Sequence, residues 1–300
     1  MKPSRNTFSG PFSRADLILN SDGAVYHLGL KHGDLAETII IVGDPDRVDL
    51  VSGKFDSVHF RKNNREFVTH TGRLNGMELS VVSSGIGADN IDILINECDI
   101  VHNLDPKTRS FSTERKTLRF VRLGTSGAIQ SDIPLGSLLR SDAAFGSDGL
   151  PWFCDLRFDD VELRWQSEFL NSTKWPAHAA RPYFTKAPGS VKELFQDGFI
   201  PGMTATMNGF YAGQGRWIGL RSFDSGFVDS LTAMRFSQDE RITNFEMETA
   251  AIYAFCAALG HEAVSLLAIL ANRVSGEFVV DTAGPVEHLI ELALDRLTQG

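Results

Sequence analysis

Two glycine-containing loops of the sequence carry side chains that could bind an anion. Gly43 and Arg47 follow an apolar run, and Arg122 and Thr125 lie at the end of another. Glycine lets backbone N–H groups approach a phosphate, and arginine offers a planar fork of donors to its oxygens. A turn that only starts a helix explains the first loop equally well. Together the two loops favour a phosphate site.

Arg122 stands among the apolar residues Leu118, Phe120, Val121 and Leu123, where a buried charge needs an anionic partner. Either a carboxylate of the protein or a bound phosphate meets that need, and the glycines of residues 124–127 favour the phosphate. No Gly-Lys-Ser/Thr sequence follows these residues, so the loop is not a Walker motif. ATP chemistry is therefore disfavoured.

A third loop, residues 210–216, combines an aromatic ring, an amide and a guanidinium. Phe210 can stack on a planar heterocycle, while Gln214 and Arg216 can pair with its polar edge. An ordinary surface turn has little reason to contain all three groups. The loop therefore predicts a binding site for a planar base.

These side chains are positioned by an α/β fold, because short apolar runs alternate with segments of helical period. Ligands of such sheets bind beyond the carboxyl ends of the strands, where the glycine-containing loops lie. Strands are predicted at about residues 38–42, 79–84, 117–123, 201–207 and 264–270.

A helix is predicted over about residues 245–259, with Glu246 and Glu248 in its first turn. Carboxylates at a helix N-terminus are stabilised by the helix dipole, so a purely structural role for either one is the simpler interpretation. The polar residues 103–116 predict a surface excursion. Residues 1–24, rich in Ser, Asn and Gly, predict a loosely held arm.

Composition excludes several classes of function for this 300-residue chain. Its net charge is -9, and no lysine or arginine cluster could follow a nucleic acid. The longest apolar runs fall short of the about 18–20 residues that span a bilayer. The N-terminus lacks the apolar segment of a signal peptide. We therefore expect no nucleic acid, no membrane and a cytoplasmic location.

The cysteines indicate neither zinc nor disulfide chemistry. Cys98, Cys154 and Cys256 are widely spaced and include no C-x-x-C pair. We predict buried thiols and no catalytic transition metal.

Taken in order along the chain, these clusters resemble the nucleoside phosphorylase superfamily and, within it, the uridine phosphorylases. The resemblance extends over nearly the whole chain from residue 26 onward, in blocks at residues 26–30, 43–48, 65–67, 84–87, 122–129, 210–216, 244–248 and 272–273. It implies a single-domain, three-layer α/β/α fold with a central mixed sheet. That domain would cover residues 26–300, after an N-terminal arm of residues 1–25.

The resemblance also implies a role for each cluster. Arg122, Arg216, Gln214 and Glu248 would be catalytic, and His27 and Arg65 would reach the site of a neighbouring subunit. The residues implied for phosphate are Gly43, Arg47, Arg65, Arg122 and Thr125; for ribose, His27, Glu246, Met247 and Glu248; and for the base, Phe210, Gln214, Arg216 and Arg273.

The implied reaction is reversible phosphorolysis of uridine to uracil and ribose 1-phosphate. Inorganic phosphate would be the co-substrate, and no organic cofactor would be needed. Some members bind a monovalent cation, such as potassium, between subunits; Glu66 and Ile86 fit that site, whereas Asn90 stands where serine is usual. The resemblance implies a homodimer with shared active sites, and a hexamer of three dimers stays open.

Three alternatives remain. A purine nucleoside phosphorylase usually carries an aspartate two residues beyond the last strand, where this chain has Asn272 and Arg273. A hydrolytic nucleosidase would not need the phosphate-facing arginines. A nucleoside-binding protein without activity could keep the same fold.

Overall fold

A computed structural model describes residues 9–238 and 240–299 of the chain, so residues 1–8 of the predicted arm lie outside the described part. The strands are β1 (Thr38–Val42), β2 (Ser57–Asn64), β3 (Phe67–Leu74), β4 (Met77–Ser83), β5 (Leu104–Asp105), β6 (Ser110–Phe111), β7 (Arg119–Ala128), β8 (Leu138–Gly146), β9 (Tyr183–Lys186), β10 (Ile200–Thr206), β11 (Ile242–Glu246), β12 (Glu262–Asn272) and β13 (Glu277–Phe278). The helices are α1 (Asp46–Ser52), α2 (Ala88–Asn103), α3 (Asp160–Ser172), α4 (Phe227–Ala233), α5 (Thr249–Leu259) and α6 (Ala283–Thr298).

The centre of the fold is a mixed sheet with helices on both faces. β1 is buried along its length and pairs in parallel with β4 and β7. Its alternating side chains serve two cores: Ile39 and Ile41 pack with residues of α2 and α5, whereas Ile40 and Val42 pack with residues of α1 and α6. The three-layer α/β/α prediction with a central mixed sheet is therefore confirmed.

Part of this sheet closes on itself. β7 pairs with β1 in its first half, with β11 at its end, and with β12 along its whole length. Because β12 also pairs with β8, β8 with β10 and β10 with β11, these strands form a ring. The open part of the sheet continues from β7 through β1, β4 and β3 to β2.

All the predicted strands are present, as β1, β4, β7, β10 and β12. One boundary is wrong by more than two residues, because residues 124–127 are part of β7 rather than a loop beyond it. β12 continues alongside them, and its register pairs Leu267 with Gly124 and Ala271 with Gly127. This neighbour keeps the strand extended in spite of the two glycines.

The predicted helix over residues 245–259 is wrong at its N-terminus. Glu246 is the last residue of the buried strand β11, and Glu248 directly precedes α5, which begins at Thr249. The physical cause is the Glu246 carboxylate, which accepts the backbone N–H groups of Glu248 and Thr249. A side chain that caps the first free amides of a helix must stand before it.

The expectation of a loosely held arm is wrong for residues 9–24. The Arg109 guanidinium donates to the carbonyl oxygens of Phe12, Ser13 and Leu17, and Leu17 is buried. Arg109 belongs to the predicted surface excursion, which contains the β5–β6 hairpin. The domain boundary after residue 25 stays a prediction.

All three cysteines are free thiols; Cys98 and Cys256 are buried as predicted, but Cys154 is exposed. No helix within the described residues is long and apolar enough to cross a bilayer.

Candidate active site

One cleft of about 990 Å³ lies at the carboxyl ends of β1, β4, β7, β11 and β12. Strands that end side by side deliver their following loops to one place, which explains why clusters so distant in sequence meet. The predicted residues that line this cleft are Gly43, Arg47, Glu66, Ile86, Asn90, Arg122, Thr125, Phe210, Gln214, Arg216, Glu246, Met247, Glu248 and Arg273. Of the predicted set, only His27 and Arg65 do not line it.

One corner of the cleft is cationic. Arg47, in the first turn of α1, donates from Nη1 to the carbonyl oxygen of Leu123 at 3.3 Å. Burial and the nearby positive charge of Arg122 lower the pKa of Arg47. Gly43 and Thr125 lie in the same cleft. Two guanidiniums that disfavour each other's charge make this corner a site for an anion.

Arg122 is paired on one side only. Its Nη2 contacts Oε2 of Glu248 and lies 3.4 Å from Oε2 of Glu246, so the structural ion pair weighed above is present. Burial opposes the charge of Arg122, yet Glu248 and Glu246 outweigh burial and raise its pKa. The Nε and Nη1 atoms are buried and have no hydrogen-bond partner within residues 9–238 and 240–299. Such donors are costly unless a ligand satisfies them.

The two carboxylates beside Arg122 have different tasks. Glu246 accepts the hydroxyl of Thr206 and the N–H groups that begin α5, so much of its hydrogen-bonding capacity serves the protein itself. Glu248 accepts the N–H of Gly87 at 2.7 Å through Oε1 and Arg122 through Oε2. A carboxylate has about four lone-pair positions, so Glu248 keeps acceptor capacity for hydroxyl groups of a ligand.

Residues 210–216 form a second polar group in the cleft. The Arg216 guanidinium lies 3.9 Å from the centroid of the Phe210 ring, and its Nη1 donates to Oε1 of Gln214 at 2.6 Å. Nη1 of Arg273 donates to the backbone carbonyl oxygen of Gln214 at 3.0 Å. Burial, together with the charge of Arg273, lowers the pKa of Arg216 to about 10. The arrangement presents a ring, an amide and a cation side by side.

His27 and Arg65 lie together outside the cleft. The exposed Arg65 has its Cζ 5.3 Å above the ring of Tyr26, which in turn meets the His27 ring edge-on at 4.9 Å. Nδ1 of His27 contacts Oε1 of Glu97 at 2.6 Å. The chain therefore does not bring these two residues to its own cleft.

Several cleft residues escape the sequence reasoning. Leu270, Ala271 and residues 276–278 line the cleft, and Gly87 contacts Glu248 from the head of α2. Gly87 lies within the block at residues 84–87, but the partner of its backbone N–H depends on the fold and cannot be read from the sequence. No cluster of His, Cys, Asp and Glu suited to a metal ion occurs within the described residues.

Known proteins share this sequence and fold. Residues 37–297 match the family model of the phosphorylase superfamily. The chain is 32% identical over 271 residues to a uridine phosphorylase of Thermococcus kodakarensis, covering 89% of this chain and 84% of that protein. It is 30% identical over 260 residues to the uridine phosphorylase of Escherichia coli, covering 86% and 89%.

A solved structure of a nucleoside phosphorylase has the same fold as this chain. A Trypanosoma brucei nucleoside phosphorylase, described as showing uridine phosphorylase activity, matches with a TM-score of 0.84 at 26% identity. The match covers 95% of this chain and 100% of that one.

Gly124 makes room for the Arg122 guanidinium. A Cβ at residue 124 would lie 1.6 Å from Nη1 of Arg122 and 2.9 Å from Cδ2 of Leu267. We expect Gly124→Ala to lower the free energy of unfolding by about 2–4 kcal/mol, because it displaces a buried, ion-paired cation. Urea denaturation measures this change.

Gly127→Ala is the matched control on the same strand. Its Cβ would meet the nearest atom, Cβ of Ala271, at an ordinary 3.7 Å. We expect a change of less than about 1 kcal/mol. Equal stability of the two variants would contradict the position assigned to Arg122.

Proposed function

The chain belongs to the phosphorylase superfamily, and we propose that it is a uridine phosphorylase. It would transfer the ribosyl group of uridine to inorganic phosphate and release uracil and ribose 1-phosphate. The observation that carries this proposal is Arg122, which lines the same cleft as Arg47 and whose buried Nε and Nη1 have no hydrogen-bond partner among the described residues. The names of the relatives at 32% and 30% identity support the choice of uridine.

The proposed reaction uses countercharges rather than a covalent intermediate. As the glycosidic bond stretches, positive charge develops on the ribose and negative charge on the base. Phosphate held by Arg47, Arg122, Thr125 and backbone N–H groups would stabilise the ribose and attack its anomeric carbon. Arg216, which remains a cation at neutral pH, would stabilise the departing base.

Glu248 and the Met247 backbone would bind the ribose hydroxyls between these two regions. The resemblance places Glu246 at the same ribose site. Because its carboxylate accepts the N–H of Thr249 at the start of α5, we propose that it supports the position of Glu248. Phe210 would stack on the uracil, and the Gln214 amide would accept from its imide N–H. Arg273 would support Gln214 through the hydrogen bond between them.

A purine substrate is disfavoured by the hydrogen bonds of Asn272. Its Nδ2 donates to the carbonyl oxygens of Gln130 and Ile133, and its Oδ1 accepts the N–H groups of Val274 and Ser275. The side chain thus supports the turn after β12. It offers no acidic proton to a purine ring.

We propose a homodimer in which each subunit lends His27 and Arg65 to its neighbour's cleft. Their position outside their own cleft, beside the exposed Tyr26, supports this assignment. A hexamer of three dimers is compatible with it. A cytoplasmic location is supported by the free cysteines, and the net charge of -9 argues against nucleic acid as a partner.

A monovalent cation, such as potassium, is proposed near the same surface. Glu66, Ile86 and Asn90 lie together, since a Cβ on Gly85 would approach Nδ2 of Asn90 at 2.7 Å and Cγ of Glu66 at 3.4 Å. Carboxylate, amide and backbone carbonyl oxygens form a donor set that suits a hard cation. When bound, the ion would hold the subunits together and take no part in the bond-breaking step.

The first prediction is that uridine is cleaved only when phosphate or arsenate is present. Arg122→Ala should lower kcat/KM for phosphate at least about a hundredfold, because a charge-assisted contact is lost in the transition state. Ultraviolet detection of released uracil, at varied phosphate concentration, measures both effects.

Arg119→Ala serves as the control for that variant. Arg119 lies on the same strand, is partly exposed and pairs with Glu262 outside the cleft. We expect its phosphate dependence to match that of the unchanged protein. Comparable uracil release in phosphate-free buffer would identify a hydrolase instead.

A second prediction concerns cytidine, which should be a very poor substrate. Cytosine presents a lone pair where uracil presents its imide N–H. The side-chain Oε1 of Gln214 would then face another acceptor. A site built on such pairing discriminates by roughly four orders of magnitude. Equal turnover of cytidine and uridine in the same assay would show that the amide faces elsewhere.

A third prediction is that two inactive variants, Arg65→Ala and Glu248→Ala, restore activity when their subunits exchange. One cleft of the mixed dimer collects both defects and the other is intact, so up to about half of the activity per mixed dimer should return. Activity is measured after exchange has been verified by native mass spectrometry.

The control mixes Arg122→Ala with Glu248→Ala, two changes within one subunit's cleft. Every site of that mixed dimer carries one defect, so no activity should return. If the first mixture exchanges and stays inactive, each subunit completes its own site.

A further inference from the structure

The turn between β4 and α2 reaches the ribose side of the cleft with a single backbone group. The N–H of Gly87 donates to Oε1 of Glu248 at 2.7 Å. Gly87 has φ 101° and ψ 160°, a conformation that is essentially restricted to glycine. The backbone at this point is therefore specified by residue type, and with it the direction of the N–H.

Glu248 depends on this contact for its orientation. Its carboxylate is held at Oε1 by Gly87 and at Oε2 by Arg122, and its own N–H is held by Glu246. The Arg122 contact alone would let the carboxylate rotate about that bond. Gly87 holds the second oxygen, and the two held oxygens, together with the bond to the rest of the side chain, fix the plane of the carboxylate.

The side chains of Glu66 and Asn90 pack against the turn. A Cβ on Gly85 would lie 2.7 Å from Nδ2 of Asn90 and 3.4 Å from Cγ of Glu66, so these side chains lie against the turn. The Gly87 N–H is thus presented by a supported backbone.

We propose that Gly87 is a positioning residue for the reaction, one that fixes the Glu248 carboxylate for the ribose hydroxyls through its N–H. This inference rests on the proposed function. It concerns a group that would not touch substrate and would act only through Glu248. A change at Gly87 should therefore alter the kinetic constants for the nucleoside more than those for phosphate. The size of the change should depend on which ribose hydroxyls the nucleoside carries.

The test compares Gly87→Ala with a control that also places an alanine at a positive φ, but outside the cleft. A Cβ on Gly87 meets no atom within 4 Å, so the substitution acts through the backbone conformation and not through a clash. Gly33 has φ 94° and is equally free of neighbours within 4 Å, and it does not line the cleft. Gly33→Ala therefore reports the effect of an alanine at positive φ away from the cleft.

For Gly87→Ala we expect kcat/KM for uridine to fall about ten- to hundredfold, the effect of a hydrogen bond to a charged group. KM for phosphate should change less than about threefold, because Nε and Nη1 of Arg122 do not contact Glu248. Deoxyuridine, which lacks the 2′-hydroxyl, should lose less than uridine, so that the preference between them shrinks. Gly33→Ala should change none of these quantities.

If Gly87→Ala does not fold, Gly87→glycolic acid replaces the N–H by an ester oxygen and adds no Cβ. The same kinetic pattern is expected from it. In a Glu248→Gln background, either change at residue 87 should have a smaller effect, because the two groups act as one unit.

Other outcomes would refute either the role of Gly87 or the proposed function. An unchanged kcat/KM for uridine, an equal loss for uridine and deoxyuridine, or an equal loss in Gly33→Ala would refute the role of Gly87 while the proposed function stands. An unchanged protein that does not cleave uridine would refute the proposed function, and this inference with it.

Discussion

The burial of one guanidinium determines how the rest of the cleft is built. Arg122 lies within β7 with almost no exposure, and taking an unpaired charge out of water costs several kcal/mol. The fold meets that requirement in part, with Glu248 on one side and Glu246 farther away. Among the residues that the structure describes, none accepts a hydrogen bond from Nε or Nη1 of Arg122. A guanidinium that makes only part of its hydrogen bonds to the protein still favours binding of an anion. Arg122 is therefore both a structural residue and a binding group.

Several local features exist because of that guanidinium. Gly124 lacks a side chain where Nη1 must lie, and β12 runs alongside so that β7 stays a strand through its glycines. Glu246 ends β11 and takes the first amides of α5, which places Glu248 directly between strand and helix. The closed ring of β7, β12, β8, β10 and β11 links these elements by backbone hydrogen bonds. A shift of any one strand would therefore move the carboxylates relative to Arg122.

The sequence predicts the parts of this structure that depend on residue type. β1 is an unbroken apolar run, and a strand buried on both faces has that pattern, so its position follows directly. β2 has the pattern of an exposed strand, rich in polar side chains, and it was not predicted. The β11–α5 boundary is predicted wrongly because apolar residues stand on both sides of it, at Phe245 and Met247 and from Ala250 to Leu259. Periodicity alone therefore cannot separate a buried strand from the helix that follows.

Most of the residues that line the candidate site were predictable from the sequence, but their contacts were not. Arginines, glycines and carboxylates in a fixed order identify the cleft, because chemistry restricts which residue types can serve it. The pairing of Arg122 with Glu248, and the N–H of Gly87, depend on three-dimensional placement and on a backbone group present at every residue except proline. The position of His27 and Arg65 outside the cleft likewise depends on a turn whose direction the residue types leave open.

The distribution of charge in the cleft fits the reaction better than it fits a neutral ligand. Arg47 and Arg122 form one cationic pair, and Arg216 and Arg273 form another; the pKa of Arg47 and that of Arg216 are each lowered by burial and by the neighbouring cation. Two like charges held close together repel each other and raise the free energy of the unliganded protein. A negative charge that binds beside either pair reduces this repulsion. Phosphorolysis puts negative charge at two places, on phosphate and on the departing base, with positive charge on the ribose between them. Glu248, beside Arg122, supplies the negative charge that the middle requires. Uridine itself is neutral, so a protein that only bound uridine would need neither cationic pair.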